Sequence, residues 1–377
     1  MRTNNNEKHA SARLKNRIML WIVPFLLLLF QASAFSGEFI IATDDSGNIY
    51  YAGSNGDGTW AGYRTVTTLT GAIRGAAIAD FDADGDLDFI VGSPSGSTIT
   101  FYLFLNDGSD SFTSSVIGTG TNVSTYQMDM TAGDFNNDGR MDFFGNSNNT
   151  YIHRGLNNGD GTFADVSRES GLAAHPGPGM GIICADYDND GDTDIFVGND
   201  GGPGNFLFRS DGRGRFTEMA DISGIAYEAG GAAHGSMGVD CADFDHDGLL
   251  DFYVTAYQRQ MASLFKNLGG GIFDDVTRAT GAGQGSLNQV KWGCGFVDFD
   301  NDGFKDLYVS CGHLLDNVDQ VDDSTSYLAR SVLLWNTGKG TFVNVSDTSG
   351  DGLQVTSVGR GAAFDDLDAH LARQEGV

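Results

Sequence analysis

Proline, cysteine and positive charge are scarce in this chain, and each scarcity excludes something. Glycine outnumbers proline 54 to 5 but follows no Gly-x-y triplet. That rules out a collagen-like rod and leaves many tight turns between short strands. The 22 basic residues face 50 acidic ones, a formal charge of −28, so no nucleic acid is expected as a partner, because its phosphates would be repelled. The four cysteines, Cys184, Cys241, Cys294 and Cys311, form no Cys-x-x-Cys pair and no zinc-ligand spacing. There is no nucleophile elbow, no His-Glu-x-x-His and no phosphate-binding loop. The seven histidines are scattered, with His175, His234 and His313 in glycine-rich connections. The longest apolar run, Ile18–Phe30, has 13 residues, short of the ~20 that a membrane helix needs. What is present is 40% apolar residues, enough for a core, together with clustered carboxylates that call for cations to neutralise them.

Residues 1–34 read as a signal peptide. Arg2, Lys8, Arg13, Lys15 and Arg17 make a basic start, the Ile18–Phe30 run follows, and Ala32-Ser33-Ala34 is a small-x-small cleavage site. An uncleaved anchor is the alternative. Cleavage after Ala34 removes five basic residues and Glu7, a net +4, so the mature chain carries −28 − 4 = −32. The expected location is secreted or extracytoplasmic (periplasm or cell surface), with no stable membrane span once the signal is cut.

Self-similarity decides the fold of residues 35–377. Five segments share the pattern Asp-x-Asp/Asn-x-Asp-Gly-x-x-Asp, beginning at Asp80, Asp134, Asp186, Asp243 and Asp298, with spacings of 54, 52, 57 and 55 residues. Glycine lies five residues before the first Asp at Gly75, Gly181, Gly238 and Gly293; Asp129 departs from this in the second copy. An incomplete copy starts near 358, in Val358-Gly-Arg-Gly-Ala-Ala-Phe364, and its loop, Asp366-Leu-Asp368, lacks the third Asp and the Gly. Short apolar runs follow each loop, as in Phe89-Ile90-Val91 and Leu307-Tyr308-Val309; their length suits buried strands.

A second signature runs half a repeat out of phase. It reads Asn or Ser, any residue, Gly, then an aromatic: Gly56/Trp60, Gly108/Phe112, Gly159/Phe163, Gly212/Phe216, Gly269/Phe273 and Gly338/Phe342. A glycine turn between apolar runs is a hairpin signal. Each unit then holds four short strands, with the Asp loop between the first and second. Four strands per ~50 residues makes the chain an all-β propeller of six blades, or seven. Residues 39–69 read as strands two to four of a blade, and Val358–Phe364 is expected to complete it as a first strand beside Ile40 and Tyr50. Cys184 and Cys241 hold the same apolar position in successive repeats, so the cysteines read first as buried small hydrophobes. If a disulfide forms, Cys294–Cys311, flanking one loop, is the best pair.

The loop pattern points to calcium, a hard cation that takes six to eight oxygen ligands. Alternating acidic or amide residues put three side chains on one side of a curling loop, the Gly permits a sharp turn, and the last Asp closes the site. The candidate ligands are Asp80, Asp82, Asp84 and Asp88; Asp134, Asn136, Asp138 and Asp142; Asp186, Asp188, Asp190 and Asp194; Asp243, Asp245, Asp247 and Asp251; Asp298, Asp300, Asp302 and Asp306. About five Ca2+ sites are expected, one per loop. Magnesium prefers water-rich octahedral sites, and zinc or copper would want His or Cys; His246 sits between ligand positions. An EF-hand would need Glu at the twelfth position, where Val91, Gly145, Val197, Val254 and Val309 stand instead.

These loops and their spacing resemble the FG-GAP/VCBS-type repeats of integrin alpha-subunit propellers and of many secreted bacterial proteins, over roughly residues 39–368. A literal Gly-Ala-Pro element is absent, with Val91-Gly-Ser-Pro94 the nearest approach. The flanks, Ser-Gly-Ile or Ser-Gly-Leu before a blade and Val358–Phe364 near the end, resemble proteins in which an ASPIC/UnbV domain follows the last repeat. The resemblance implies a secreted calcium-binding propeller that binds or adheres to an extracellular protein or glycan. Two other readings stay open: an enzyme such as a polysaccharide lyase or hydrolase using the propeller's central face, and a scaffold for a further C-terminal domain.

Overall fold

The computed structural model describes residues 26–29, 39–44, 46–53, 61–109, 111–121, 128–147, 152–362 and 364. Outside them lie the expected cleavage site Ala32-Ser33-Ala34, the Gly56/Trp60 pair and the degenerate loop Asp366–Asp368. The described strands form six four-stranded antiparallel sheets, each from four strands consecutive in the chain. Blade 1 is β1 (Leu26–Leu29), β2 (Phe39–Thr43), β3 (Asn48–Gly53) and β4 (Arg64–Thr68). Blade 2 is β5 (Arg74–Ala79), β6 (Asp88–Ser95), β7 (Thr98–Asn106) and β8 (Phe112–Thr121). Blade 3 is β9 (Met128–Gly133), β10 (Asp142–Ser147), β11 (Ile152–Asn157) and β12 (Phe163–Asp165). Blade 4 is β13 (Gly179–Ala185), β14 (Asp194–Asn199), β15 (Phe206–Ser210) and β16 (Phe216–Glu218). Blade 5 is β17 (Ser236–Ala242), β18 (Asp251–Ala256), β19 (Ser263–Asn267) and β20 (Phe273–Asp275). Blade 6 is β21 (Lys291–Val297), β22 (Asp306–Cys311), β23 (Val332–Asn336) and β24 (Phe342–Asn344). This is the all-β propeller architecture that the repeat predicts. The chain divides into two compact units, one holding blades 1–4 and the other blades 5 and 6 with Tyr187–Asn189. Among the described residues no helix is long and apolar enough to cross a membrane.

The continuous apolar runs after the loops have a physical reason. Successive side chains on a strand point to opposite faces, and blades 2 and 3 are covered on both faces by their neighbours. In β6, Phe89 and Val91 pack with Ile41, Ile49 and Tyr51 of blade 1, while Ile90 packs with Met130 and Phe143 of blade 3. In β10, Phe143 faces blade 2 and Phe144 joins Ile195, Val197 and Phe208 of blade 4. Blades 5 and 6 share a core of Phe244, Tyr253, Leu307, Val309 and Leu334.

Two further links join neighbouring blades. The aromatic second residue of the first four Asp loops packs on the aromatic of the next blade's glycine turn: Phe81 on Phe163, Phe135 on Phe216, Tyr187 on Phe273 and Phe244 on Phe342, with centroids 5.8–6.0 Å apart. The Asn of the Asn-x-Gly signature reaches back to the same place. Asn157 Nδ2 donates to the Phe81 carbonyl at 2.8 Å, Asn267 Nδ2 to that of Tyr187 at 2.8 Å, and Asn336 Nδ2 to that of Phe244 at 2.9 Å. In blade 4, Ser210 is too short to do this.

Two expectations need correction. The first-strand place of blade 1 is held by Leu26–Leu29, antiparallel to β2 with Leu26 opposite Thr43. Val358–Phe364 does not fill it: Gly293 N–H donates to the Arg360 carbonyl and Gly359 N–H to that of Cys311, which lays this stretch along blade 6, and Phe364 lies outside any strand. The optional disulfide does not form, since all four cysteines are free. A register shift in the β21–β22 pair sets Cys294 opposite Val309 and Cys311 opposite Lys291, so the two thiols are not cross-strand partners. Cys294 and Cys311 are buried, as the small-hydrophobe reading requires, whereas Cys184 and Cys241 are half-buried.

Candidate metal centres

Of the twenty candidate ligands, fifteen lie in five loops that join the first and second strands of blades 2 to 6, and the closing Asp of each loop opens the second strand. Consecutive loops also touch. The fourth residue of each loop has a left-handed backbone, with φ of 56–63° at Ala83, Asn137, Asn189, His246 and Asn301, a conformation that Asn tolerates better than most residues. From there Asn137 Nδ2 donates to Asp192 at 2.7 Å, Asn189 Nδ2 to the Gly248 carbonyl at 3.2 Å, and His246 Nε2 lies 3.0 Å from the Gly303 carbonyl. In the sequence pattern this position falls between ligand positions and carries no signal of that contact.

The loop backbone is wound around its own carboxylates. In every loop the first Asp accepts N–H bonds from the fifth and sixth residues, as Asp186 does from Asp190 at 3.1 Å and Gly191 at 2.9 Å. The third acid accepts from the seventh residue, as Asp190 does from Asp192 at 2.9 Å. The loop glycine sits at φ 83–96° in all five copies. Open space surrounds a Cβ built on Gly191, so the demand there is on backbone conformation and not on room.

The last Asp of each loop does more than close a site. Asp88, Asp142, Asp194, Asp251 and Asp306 are buried. Asp88 accepts the N–H of Phe81 and of Asn106, both at 2.8 Å; Asp306 accepts those of Phe299 at 2.9 Å and Asn336 at 2.7 Å; Asp251 does the same with Phe244 and Asn267. This carboxylate therefore ties the loop to the end of the third strand. Its partner was visible in sequence as the Asn-x-Gly signature, but the link spans 15–30 residues.

The electrostatics call for positive charge. Burial, resisted only in part by these backbone N–H bonds, pushes the carboxyls of Asp88, Asp251 and Asp306 up to about 7. Burial and then the neighbouring Asp84 raise Asp82; burial and then Asp302 raise Asp300. One oxygen from each of three carboxylates comes together within 4.8 Å in four loops: Asp80, Asp82 and Asp88; Asp186, Asp188 and Asp194; Asp243, Asp245 and Asp251; Asp298, Asp300 and Asp302. Asn136 Oδ1 and Asp245 Oδ1 are buried with no hydrogen-bond partner. Hard oxygen donors at this density, some lacking a donor of their own, fit a calcium ion.

The loops are not alike. In the second, Arg140 pairs with Asp138 and Arg154 with Asp142, the latter at 3.2 Å. In the fourth, Lys266 pairs with Asp245 and with Asp247, the latter at 3.0 Å. Partial burial works against the Lys266 charge, but its hydrogen bonds to the two carboxylates prevail and push it up to about 12. In the fifth, Trp335 Nε1 donates to Asp300 at 3.1 Å.

Blade count, loop position and loop chemistry together define a propeller of Asp-looped repeats. The chain belongs to the FG-GAP-like repeat family: four matches cover residues 80–145, 134–197, 186–254 and 243–309, together more than half of its length. Among curated proteins it is similar to cartilage acidic protein 1 from Homo sapiens, 31% identical over 161 residues, which is 41% of this chain and 24% of that protein. The Xenopus tropicalis form is 29% identical over 199 residues, 51% of this chain and 30% of that protein. The match thus spans about a quarter to a third of these relatives. Among solved structures, a lectin from Agrocybe aegerita that recognises non-reducing terminal N-acetylglucosamine aligns over 92% of this chain and 86% of its own, with a TM-score of 0.55 and 18% identity. A protein from Lactobacillus plantarum aligns over 82% of this chain and 81% of its own, with a TM-score of 0.52 and 12% identity. At these identities the likeness concerns the fold.

Proposed function

We propose that this chain is an extracellular binding propeller stabilised by calcium, with a glycan as the first ligand class to test. The observation that carries the calcium part is the gathering of three carboxylates within 4.8 Å in four of five loops that recur at one place in successive blades. The first, second and third acids of each loop, the carbonyl of its seventh residue and the closing Asp would hold the ion. Calcium would supply the positive charge that these crowded carboxylates lack, fixing the loops between first and second strands. The glycan part rests on the propeller fold shared with the Agrocybe aegerita lectin.

Export is supported by the basic start, the Ile18–Phe30 run and Ala32-Ser33-Ala34. Cleavage there would remove Leu26–Leu29 and leave blade 1 with three of its strands; a mature mass beginning at Phe35 is the expected result. Calcium titration by calorimetry should show several sites at about 0.1–1 mM and a melting temperature that rises with calcium. Melting unchanged in excess chelator refutes the calcium reading. A glycan array probed with and without chelator tests the ligand class, and an array with no hit refutes it.

A further inference from the structure

Lys266 pairs with two acids of one loop at once, whereas Arg140 and Arg154 in the second loop meet one acid each. It stands on β19 immediately before the stapling Asn267, and its ammonium bridges Asp245 and Asp247, the second and third acids of the fourth loop. Its Nζ lies over the Phe244 ring, 5.9 Å from the centroid, and the side chain is only a quarter exposed. The corresponding residues before the staple in the other Asp-loop blades are Leu105, Leu156, Arg209 and Trp335. Leu105 and Leu156 bring no charge, and Trp335 brings a neutral N–H.

We infer that Lys266 is a tethered cation that holds the calcium position of the fourth loop. The inference rests on the calcium reading above and refines it: the loops differ in whether the compensating charge is covalently supplied. An ammonium on the same polypeptide acts at an effective concentration in the mM range or above, comparable with the free calcium at which extracellular sites half-fill, ~0.1–1 mM. To enter, a calcium ion must break two ion pairs that are partly shielded from water. The fourth loop therefore keeps its shape when calcium is withdrawn, and takes calcium less readily than it would without Lys266.

The test compares the full-length protein with Lys266→Met, which keeps the stem and removes the charge, and Lys266→Arg, which keeps the charge. Calorimetry should count one more calcium in Lys266→Met than in the wild type, or one site tightened at least tenfold, with Lys266→Arg resembling the wild type. In excess chelator, amide exchange across 243–251 should stay slow in the wild type and become at least tenfold faster in Lys266→Met, and calcium should restore it. An equal number and strength of calcium sites in wild type and Lys266→Met overturns the tethered-cation assignment alone. No calcium bound by either protein overturns the calcium reading and the assignment with it.

Discussion

Asn336→Ala should be the costliest polar substitution in blade 6. The side chain is fully buried and makes three hydrogen bonds: Nδ2 donates to the carbonyls of Phe244 at 2.9 Å and Lys305 at 3.1 Å, and Oδ1 accepts the Gly338 N–H at 3.1 Å. Each such bond contributes about 0.5–1.5 kcal/mol net, and orphaned buried partners push towards the upper end. Three bonds give a loss of roughly 3 kcal/mol. The main-chain N–H of residue 336 still reaches Asp306, so the loop itself survives and calcium binding should change less than stability. Asn336→Asp should be worse, because it turns the two-bond donor into an acceptor facing two carbonyls. Urea unfolding at saturating calcium, followed by tryptophan fluorescence, measures both. A loss below 1 kcal/mol for the alanine variant, or an aspartate variant as stable as wild type, would show that the link to blade 5 carries no weight.

Gly191→Val should open the third loop to protease at saturating calcium, since a β-branched residue resists φ +90°; digestion no faster than wild type would mean the glycine is dispensable. Asp240 gives a pH signature. Burial, opposed by the Phe296 N–H it accepts, raises its carboxyl to about 6, above the ~4 of an unfolded Asp. Between those values the folded state binds the extra proton, so stability falls as pH rises from about 4 to about 6 and stays lower above that. Asp240→Asn keeps an acceptor for Phe296 and should remove this decline, raising stability at pH 7 by about 2–3 kcal/mol; parallel stability profiles for the two proteins from pH 4 to 8 would contradict the argument.

The five loops were legible because their requirements are local. A nine-residue window contains the acids, the glycine and the flanking apolar run, and recurrence at blade spacing does the rest. The four-strand hairpin order of blades 2 to 6 followed from the same periodicity. The completion of blade 1 did not, because residues 39–69 advertise a missing first strand without naming its donor. Leu26–Leu29, read from composition as part of a leader, pairs there with β2, and Val358–Phe364, read from its likeness to other first strands, runs along blade 6 instead.

Sequence alone thus determined the blade, its loop and the sign of the charge that the loop lacks, because each depends on residues within one turn or one hairpin. Tertiary structure decided whatever depends on residues meeting from different strands. A register shift in β21 separates Cys294 from Cys311. Asn336 and Phe244, 92 residues apart, join two blades. Lys266, unremarkable as a lone lysine beside an asparagine, meets Asp245 from 21 residues away, because the third strand ends against the loop between the first and second.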